Sequence, residues 1–210
     1  MPRNVRLVVP GTAHHITQRG SNRQTTFFTN SDRRVYLDLL ALHSAETGLR
    51  IVAYCWMFNH IHLIAIPERE SAMAVTLRRV HGRYAQYLNT RKQRSGHLWQ
   101  NRFFSCPLGQ DHLWAAIRYV EQNPVRAHLT ALPEEYAWSS AAYHLRGGGK
   151  RGITDRASYE EYGGSVAWRE LHATIADSAA YASLRDATYG GNALLAQSEG
   201  IVKSASEPLG

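Results

Sequence analysis

Two histidines one residue apart, His60 and His62 in Asn59-His60-Ile61-His62-Leu63, lie in an apolar run, and Tyr119 and Asn123 follow four residues apart. Side chains alternate along a strand, so the two imidazoles face the same way and can share one divalent ion. On a helix turning about 100° per residue, Asn123 falls about 40° around from Tyr119, so a phenol and an amide share one face. Two neutral imidazoles and an amide oxygen would form an open three-ligand site with room for water and a substrate phosphate. An amide oxygen beside a phosphate favours Mg²⁺ or Mn²⁺, although imidazole also accepts zinc. Such an ion would stabilise charge growing on the phosphate oxygens while Tyr119, a phenol with an ordinary pKa of about 10, attacks phosphorus. That is nuclease chemistry.

Each piece taken singly has a plainer reading. An H-x-H pair in a strand more often packs than binds metal, and a lone helix tyrosine is more often half-buried than reactive. Arg78, Arg79, Arg83 and the Arg91 to Arg94 loop would ordinarily be a solvated face. Trp99, Phe103, Phe104 and Trp114 are core by default, although the intervening Arg102 leaves base stacking open. The chemistry therefore depends on the elements that bring these pieces together.

A first strand is expected at residues 12 to 18, ended by the turn residues Arg19-Gly20-Ser21-Asn22. From Ser31 to Gly48, Val35, Leu39 and Leu42 recur at helical spacing, with Asn30, Ser31 or Asp32 as N-cap and Gly48 as stop. Residues 50 to 57 and 60 to 66 are short, β-branched and aromatic, and the second should be a central strand opening at His60 and His62. Met73, Leu77, Val80, Tyr84 and Tyr87 mark a helix over about 70 to 90. A strand at Leu98 to Ser105 follows, then a third helix capped by Asp111 and ending near Asn123, because Pro124 disfavours helical geometry in the residue before it. Strand, helix, strand, strand, helix, strand is the order of an α+β, ferredoxin-like sheet, here with one extra helix. It places the first and third strands side by side and His14 or His15 near the histidine pair. Beyond residue 145 the periodicity weakens. Residues 1 to 145 therefore read as the catalytic domain and 146 to 210 as a partly irregular extension, disordered after about 190.

The 210 residues carry a net charge of +7, which points to an anionic partner such as nucleic acid. The charge is uneven: residues 1 to 145 hold 17 Lys+Arg against 9 Asp+Glu, and residues 146 to 210 hold 7 against 8. Cys55 and Cys106 alone cannot make a disulfide framework or a thiolate zinc site. The absence of an apolar stretch after Arg3 and Arg6, and of any membrane-length run, gives a cytoplasmic expectation with no membrane partner.

Five ordered segments resemble one known family: Pro10-Gly11 through Arg19-Gly20 with Arg23, Trp56 through Ile64, Leu98-Trp99 through Arg102-Phe103, Arg118-Tyr119 through Arg126-Ala127, and Tyr136 through Ser140. Together they resemble the REP-associated tyrosine transposases, a branch of the single-tyrosine HUH transposases related to insertion-sequence enzymes. The resemblance implies a divalent metal held by His60, His62 and Asn123, with His15 in support, and Tyr119 as nucleophile. It implies cleavage and rejoining of single-stranded DNA beside hairpins of palindromic repeats, through a 5′-phosphotyrosine link and a free 3′-hydroxyl. Arg19, Arg23, Arg78, Arg79 and Arg83 become candidates for DNA contact, Arg126 stands between contact and structure, and the protein is expected to act as a monomer in the cytoplasm of a bacterium, at the nucleoid. Two departures stand out: Phe58 replaces the proline common before Asn-His, and Asn123 stands where insertion-sequence relatives more often have glutamine. Two competitors remain, an RNA-recognition-type module that binds without cutting and a hydrolase that uses activated water with Tyr119 merely structural.

Overall fold

Gly11, with φ of +76°, turns the chain into β1 (His14–Arg19), the first element of a computed structural model that describes residues 6–146, 153–173 and 178–194. The two strands that follow helix α1 (Asn30–Thr47) are β2 (Leu49–Trp56) and β3 (His60–Pro67), joined by a tight turn at Met57-Phe58-Asn59. With β4 (Phe104–Pro107) they form one antiparallel sheet in the order β2-β3-β1-β4, the expected ferredoxin-like topology. β3 and β1 are central, and residue parity sorts their side chains. Ile16, Ile61, Leu63 and Ala65 enter one core, while Ile64 and Ile66 enter another on the opposite face with the histidines of matching parity. A bulge at Ile51/Ala53 lets both Val52 and Ala53 join that second core.

The first core is roofed by α1 and α2 (Ala72–Arg91), whose Met73, Leu77, Val80, Tyr84 and Leu88 are buried. The start of α1 differs from expectation by one residue. Thr29 is the N-cap, accepting from the Asp32 amide, while the Asp32 carboxylate accepts the backbone N–H of Thr29 at 2.8 Å. Asp32 is the reciprocal partner of a capping box and not itself the cap. Gly48 stops the helix as expected, in a left-handed conformation with φ of +68°.

The expected strand at Leu98 to Ser105 is regular only from Phe104. Asn101 takes a positive φ of 53° and Gln18 Nε2 donates to the Gln100 carbonyl at 3.1 Å, so this stretch bends around the end of β1. The third helix, α3 (Gln110–Glu121), starts from Gly109 without a side-chain cap, and Asp111 sits in its first turn, where its charge suits the helix dipole. Gln122 interrupts it before α4 (Asn123–Arg126), whose first turn accommodates Pro124 because that position needs no N–H. Helices α5 (Ala141–Leu145), α6 (Arg156–Glu161), α7 (Gly164–Ala173) and α8 (Ser178–Gly190) complete the second layer. The Gly147-Gly148-Gly149 run and the tail expected to be disordered from about 190 fall, from residue 195 on in the latter case, outside the described residues. Cys55 and Cys106 are both buried and unpaired. No helix among the described residues is long and apolar enough to cross a membrane.

Candidate active site

His60 opens β3 because the turn before it is held from outside the hairpin. The Phe58 carbonyl accepts the amides of Thr26 and Phe27, and the Asn59 carbonyl accepts that of Gly20. Gly20 permits this approach: a Cβ there would meet the Gln24 carbonyl oxygen and lie 2.8 Å from Thr26 Cγ2. Phe58 is 49% exposed and takes part in this bonding through its carbonyl.

The two histidines lie at right angles with ring centroids 5.0 Å apart. Asn59 Nδ2 donates to the Arg23 carbonyl at 3.1 Å, which orients the amide so that its Oδ1 faces His60 Nδ1 at 2.6 Å. An amide oxygen can only accept, so the proton of His60 is on Nδ1 and its Nε2 keeps a lone pair. His62 Nδ1 lies 3.0 Å from Nε2 of His15, the β1 residue paired with Ile64. Of the two candidates on β1, parity selects His15. His14 belongs to the other face, donating through Nδ1 to the Thr12 carbonyl and accepting the Val9 amide.

All of these rings are neutral at ordinary pH. Burial lowers His15 to about 3, and burial with the neighbouring Arg19 lowers His60 to about 4. His62 is held well below the usual histidine range by burial, then by His60 and His15. Neutral imidazoles with one nitrogen committed to a protein acceptor are the form that binds metal, so the donor set fits the implied ion. Among the described residues no group of three or more His, Cys, Asp or Glu is arranged to hold a metal. Asn123 is buried at the start of α4, one helical turn after Tyr119. The interruption at Gln122 means that α4, not a continuous α3, sets its position.

Tyr119 meets the histidines edge-on, its ring centroid 5.4 Å from His62 and 5.8 Å from His15. Burial raises its pKa, and Arg126 and Arg185 partly offset that. The Arg126 guanidinium carbon sits 4.2 Å from the Tyr119 ring centroid, and its Nη2 donates to the Tyr119 carbonyl at 2.8 Å. The structure therefore brings together His15, His60, His62 and Tyr119, with Asn123 on the adjoining turn. Arg19 pairs with His60 across the strands and Arg23 is exposed on the following turn. Arg78, Arg79 and Arg83 are exposed on α2, in the layer across the sheet, and Arg79 is engaged by Glu46 at 3.0 Å.

Four groups around the site carry no sequence signal of their own. Thr188 of α8 contacts His15, Tyr181 packs 5.2 Å from Tyr119, and exposed Tyr189 reaches Arg19 at 3.4 Å. Glu121, two residues from both Tyr119 and Asn123, is wholly buried. Burial alone would raise its pKa, but the bonds from His144 (2.5 Å) and His172 (2.8 Å) hold it at about 2, and Ser140 donates a further bond at 2.5 Å.

The sequence model of a family described as IS200-like transposases matches residues 9–123. Among solved structures, a REP-associated tyrosine transposase bound to a REP hairpin matches with a TM-score of 0.61 at 15% identity, over 75% of this chain and 96% of that one. A crystal structure of a candidate transposase from Deinococcus radiodurans R1 gives a TM-score of 0.40 at 15% identity, over 61% of this chain and 92% of that one. No curated protein matches the chain.

Proposed function

This chain belongs to the IS200-like transposases, and from that premise we propose that it cuts and rejoins single-stranded DNA beside a hairpin, with Tyr119 as nucleophile and His60, His62 and Asn123 as ligands of Mg²⁺ or Mn²⁺. The observation that carries the reading is the approach of Tyr119 to within 5.4 Å of His62, ring to ring, from a helix and a strand 57 positions apart in a basic chain. A bound divalent ion would supply Lewis-acid stabilisation of charge on the phosphate oxygens.

The chain's own residues account for the rest. The Tyr119 oxygen bonds to phosphorus as the bond to the 3′-oxygen breaks; the phenol gives up one proton and the departing 3′-oxygen takes one up. One phosphoester replaces another, so the reverse reaction rejoins strands without an energy source. Burial makes the phenol reluctant to ionise, and Arg126 beside its ring opposes this by favouring the phenolate. Arg19 and Arg23 border His60 and would neutralise phosphates of the entering strand, whereas Arg78, Arg79 and Arg83 would reach only a separate part of the DNA, such as a hairpin stem. Because nucleophile and histidines meet within one chain, a monomer would hold the full set. The REP-associated branch, with its hairpin substrate, is supported by the fold match to an enzyme bound to a REP hairpin.

The test is a labelled hairpin-bearing single-stranded oligonucleotide incubated with protein and Mn²⁺. A denaturation-resistant protein–DNA band that vanishes in Tyr119→Phe is expected. Cleavage persisting in that variant would favour water as nucleophile, and binding without cleavage would favour a recognition module.

A further inference from the structure

We propose that Thr188, on the C-terminal helix α8, is a positioning residue of the metal centre: by accepting the Nδ1 proton of His15 it makes His15 an acceptor for His62, and so fixes His62 in the tautomer whose Nε2 can bind metal. This rests on the proposed role of His62 as a ligand, and it extends the site to a helix beyond the family match, which ends at residue 123.

Three hydrogen bonds in series set the direction of every proton. The Thr188 hydroxyl donates to the Leu184 carbonyl at 2.7 Å, an oxygen that can only accept. With its one proton committed, Thr188 Oγ1 at 2.7 Å from His15 Nδ1 must accept, so His15 carries its proton on Nδ1. A neutral imidazole has one N–H, and His15, buried and bonded only to a hydroxyl and another imidazole, has no carboxylate to hold a second proton. Its Nε2 is therefore a lone pair, and the 3.0 Å contact to His62 Nδ1 is a bond that His62 donates. The two rings lie within 10° of parallel with centroids 5.2 Å apart, the arrangement of a bond made in the ring planes. His62 is then protonated on Nδ1 and free on Nε2, the same state that Asn59 imposes on His60. Both histidines are thereby prepared alike, one by a neighbour in sequence and one by a threonine 173 residues from His15.

The arrangement is poised because the alternative is close by. Were the Thr188 hydroxyl absent, His15 would leave a buried N–H without an acceptor, which is costly. Moving that proton to Nε2 relieves the cost, but His62 Nδ1 must then accept, and its own proton moves to Nε2, where it blocks metal binding. Thr188 is fully buried, on the face of α8 that also buries Tyr181, Leu184 and Ala187. α8 packs against β1, β4 and α3, so the relay also couples metal binding to the seating of this helix.

The tautomers can be read directly in metal-free protein by long-range ¹H–¹⁵N NMR of the imidazoles. His15 and His62 are both expected as the Nδ1–H form in the wild type; His62 found as Nε2–H would overturn the proposal with no variant needed. Thr188→Val, which keeps the shape and removes the acceptor, is expected to move His62 towards Nε2–H and weaken Mn²⁺ binding, measured by electron paramagnetic resonance titration, by about 10-fold or more. Thr188→Ser should restore both. Unchanged tautomers and affinity in Thr188→Val would also overturn the relay. Wild-type protein that shows the expected tautomers yet binds no Mn²⁺ would instead sink the metal-dependent reading and leave the proton relay supported.

Discussion

The two faces of the sheet are built on opposite principles. Beneath α1 and α2, Tyr36, Trp56, Tyr84 and Trp99 interlock edge-on and tilted with Phe27 and a shell of Leu and Ile. Beneath α3 and the later helices, the apolar residues surround His15, His62 and the wholly buried Glu121. The first face follows from burying apolar area, which is non-directional and tolerant of shape. The second depends on each buried polar atom finding its partner, since an unpaired one costs about 1–3 kcal/mol and a stranded charge more. The proposed site lies on the face that is harder to satisfy. Damage to the aromatic face should therefore cost stability alone, while damage to the polar face should cost stability and metal binding together.

Glu121→Ala tests the sharper half of that contrast and should have the largest effect. It strands His144 and His172 and removes one partner of Ser140, which keeps Tyr54. Breaking a buried charge cluster on one side typically costs about 3–5 kcal/mol. A urea melt should show that loss, and Mn²⁺ affinity of the remaining folded protein should fall as well, because Glu121 stands between Tyr119 and Asn123. Unaltered affinity would make the cluster a purely structural clasp and weaken the contrast. Leu77→Ala on the other face is the matched lesion. Leu77 is fully buried beneath α2, and such a truncation costs roughly 2–5 kcal/mol. Metal affinity measured under conditions where the variant remains folded should match the wild type.

The same contrast explains what was legible beforehand. Over the aromatic face, the apolar residues of α2 recur at spacings of three and four, and the helix lies within two residues of its expected bounds at each end. The ferredoxin-like order followed from the alternation of strand and helix patterns. Asp32 was visible as a helix-start residue, but whether it caps or answers a cap depends on the side chain of Thr29, one position earlier. The stretch from Leu98 to Phe103 has strand composition, yet the left-handed Asn101 and the hydrogen bond from Gln18 bend it, and those are tertiary effects. At the site, H-x-H and the Tyr119/Asn123 spacing were readable because they are local. The choice of His15 over His14 needed the register of β1 on β3. Glu121 and Thr188 were not readable: the partners of Glu121 lie 23 and 51 residues away on later helices, and that of Thr188 lies 173 residues away on β1.

Acidification should expose a debt shared by both faces. Burial lowers His14 to about 4 and His81 to about 3, so near pH 5 the unfolded chain takes up protons there that the folded chain does not. Folding stability is then complete above the unfolded histidine pKa of about 6.5 and declines as pH falls below it, by about 2 kcal/mol per such group at pH 5. Glu121 acts later and with the same sign, because its stabilising charge is lost only as pH falls below about 4.5 towards its folded value of about 2. Urea midpoints at pH 7.5 and 5.0 measure the first effect. His81→Phe should shrink the gap between the two by one histidine's share, whatever it does to stability at pH 7.5. A gap that stays the same would mean that His81 is not held neutral.

The smallest effect belongs to the one strongly polar spot under the aromatic face. Asp32, with no exposed surface, accepts the amides of Phe28 and Thr29, the Tyr87 hydroxyl and the Arg91 guanidinium. Its carboxyl is held below the usual range despite burial, through bonds from Thr29 and Phe28 and the charge of Arg91. If buried polarity by itself coupled a region to the site, Thr29→Ala would disturb metal binding as Glu121→Ala does. Thr29→Ala keeps the backbone N–H that bonds the carboxylate and removes only the hydroxyl that accepts the Asp32 amide and an Arg91 N–H, so losing the cap should cost about 1 kcal/mol in a urea melt and leave Mn²⁺ affinity unchanged. The outcome would separate two explanations of the polar face: that the site is sensitive because its neighbours are polar, or because those neighbours bond to the elements bearing Tyr119 and the histidines. The hydrogen bonds favour the second, since Asp32 meets α2 and the cap of α1, whereas Thr188 and Glu121 reach β1 and α3 directly.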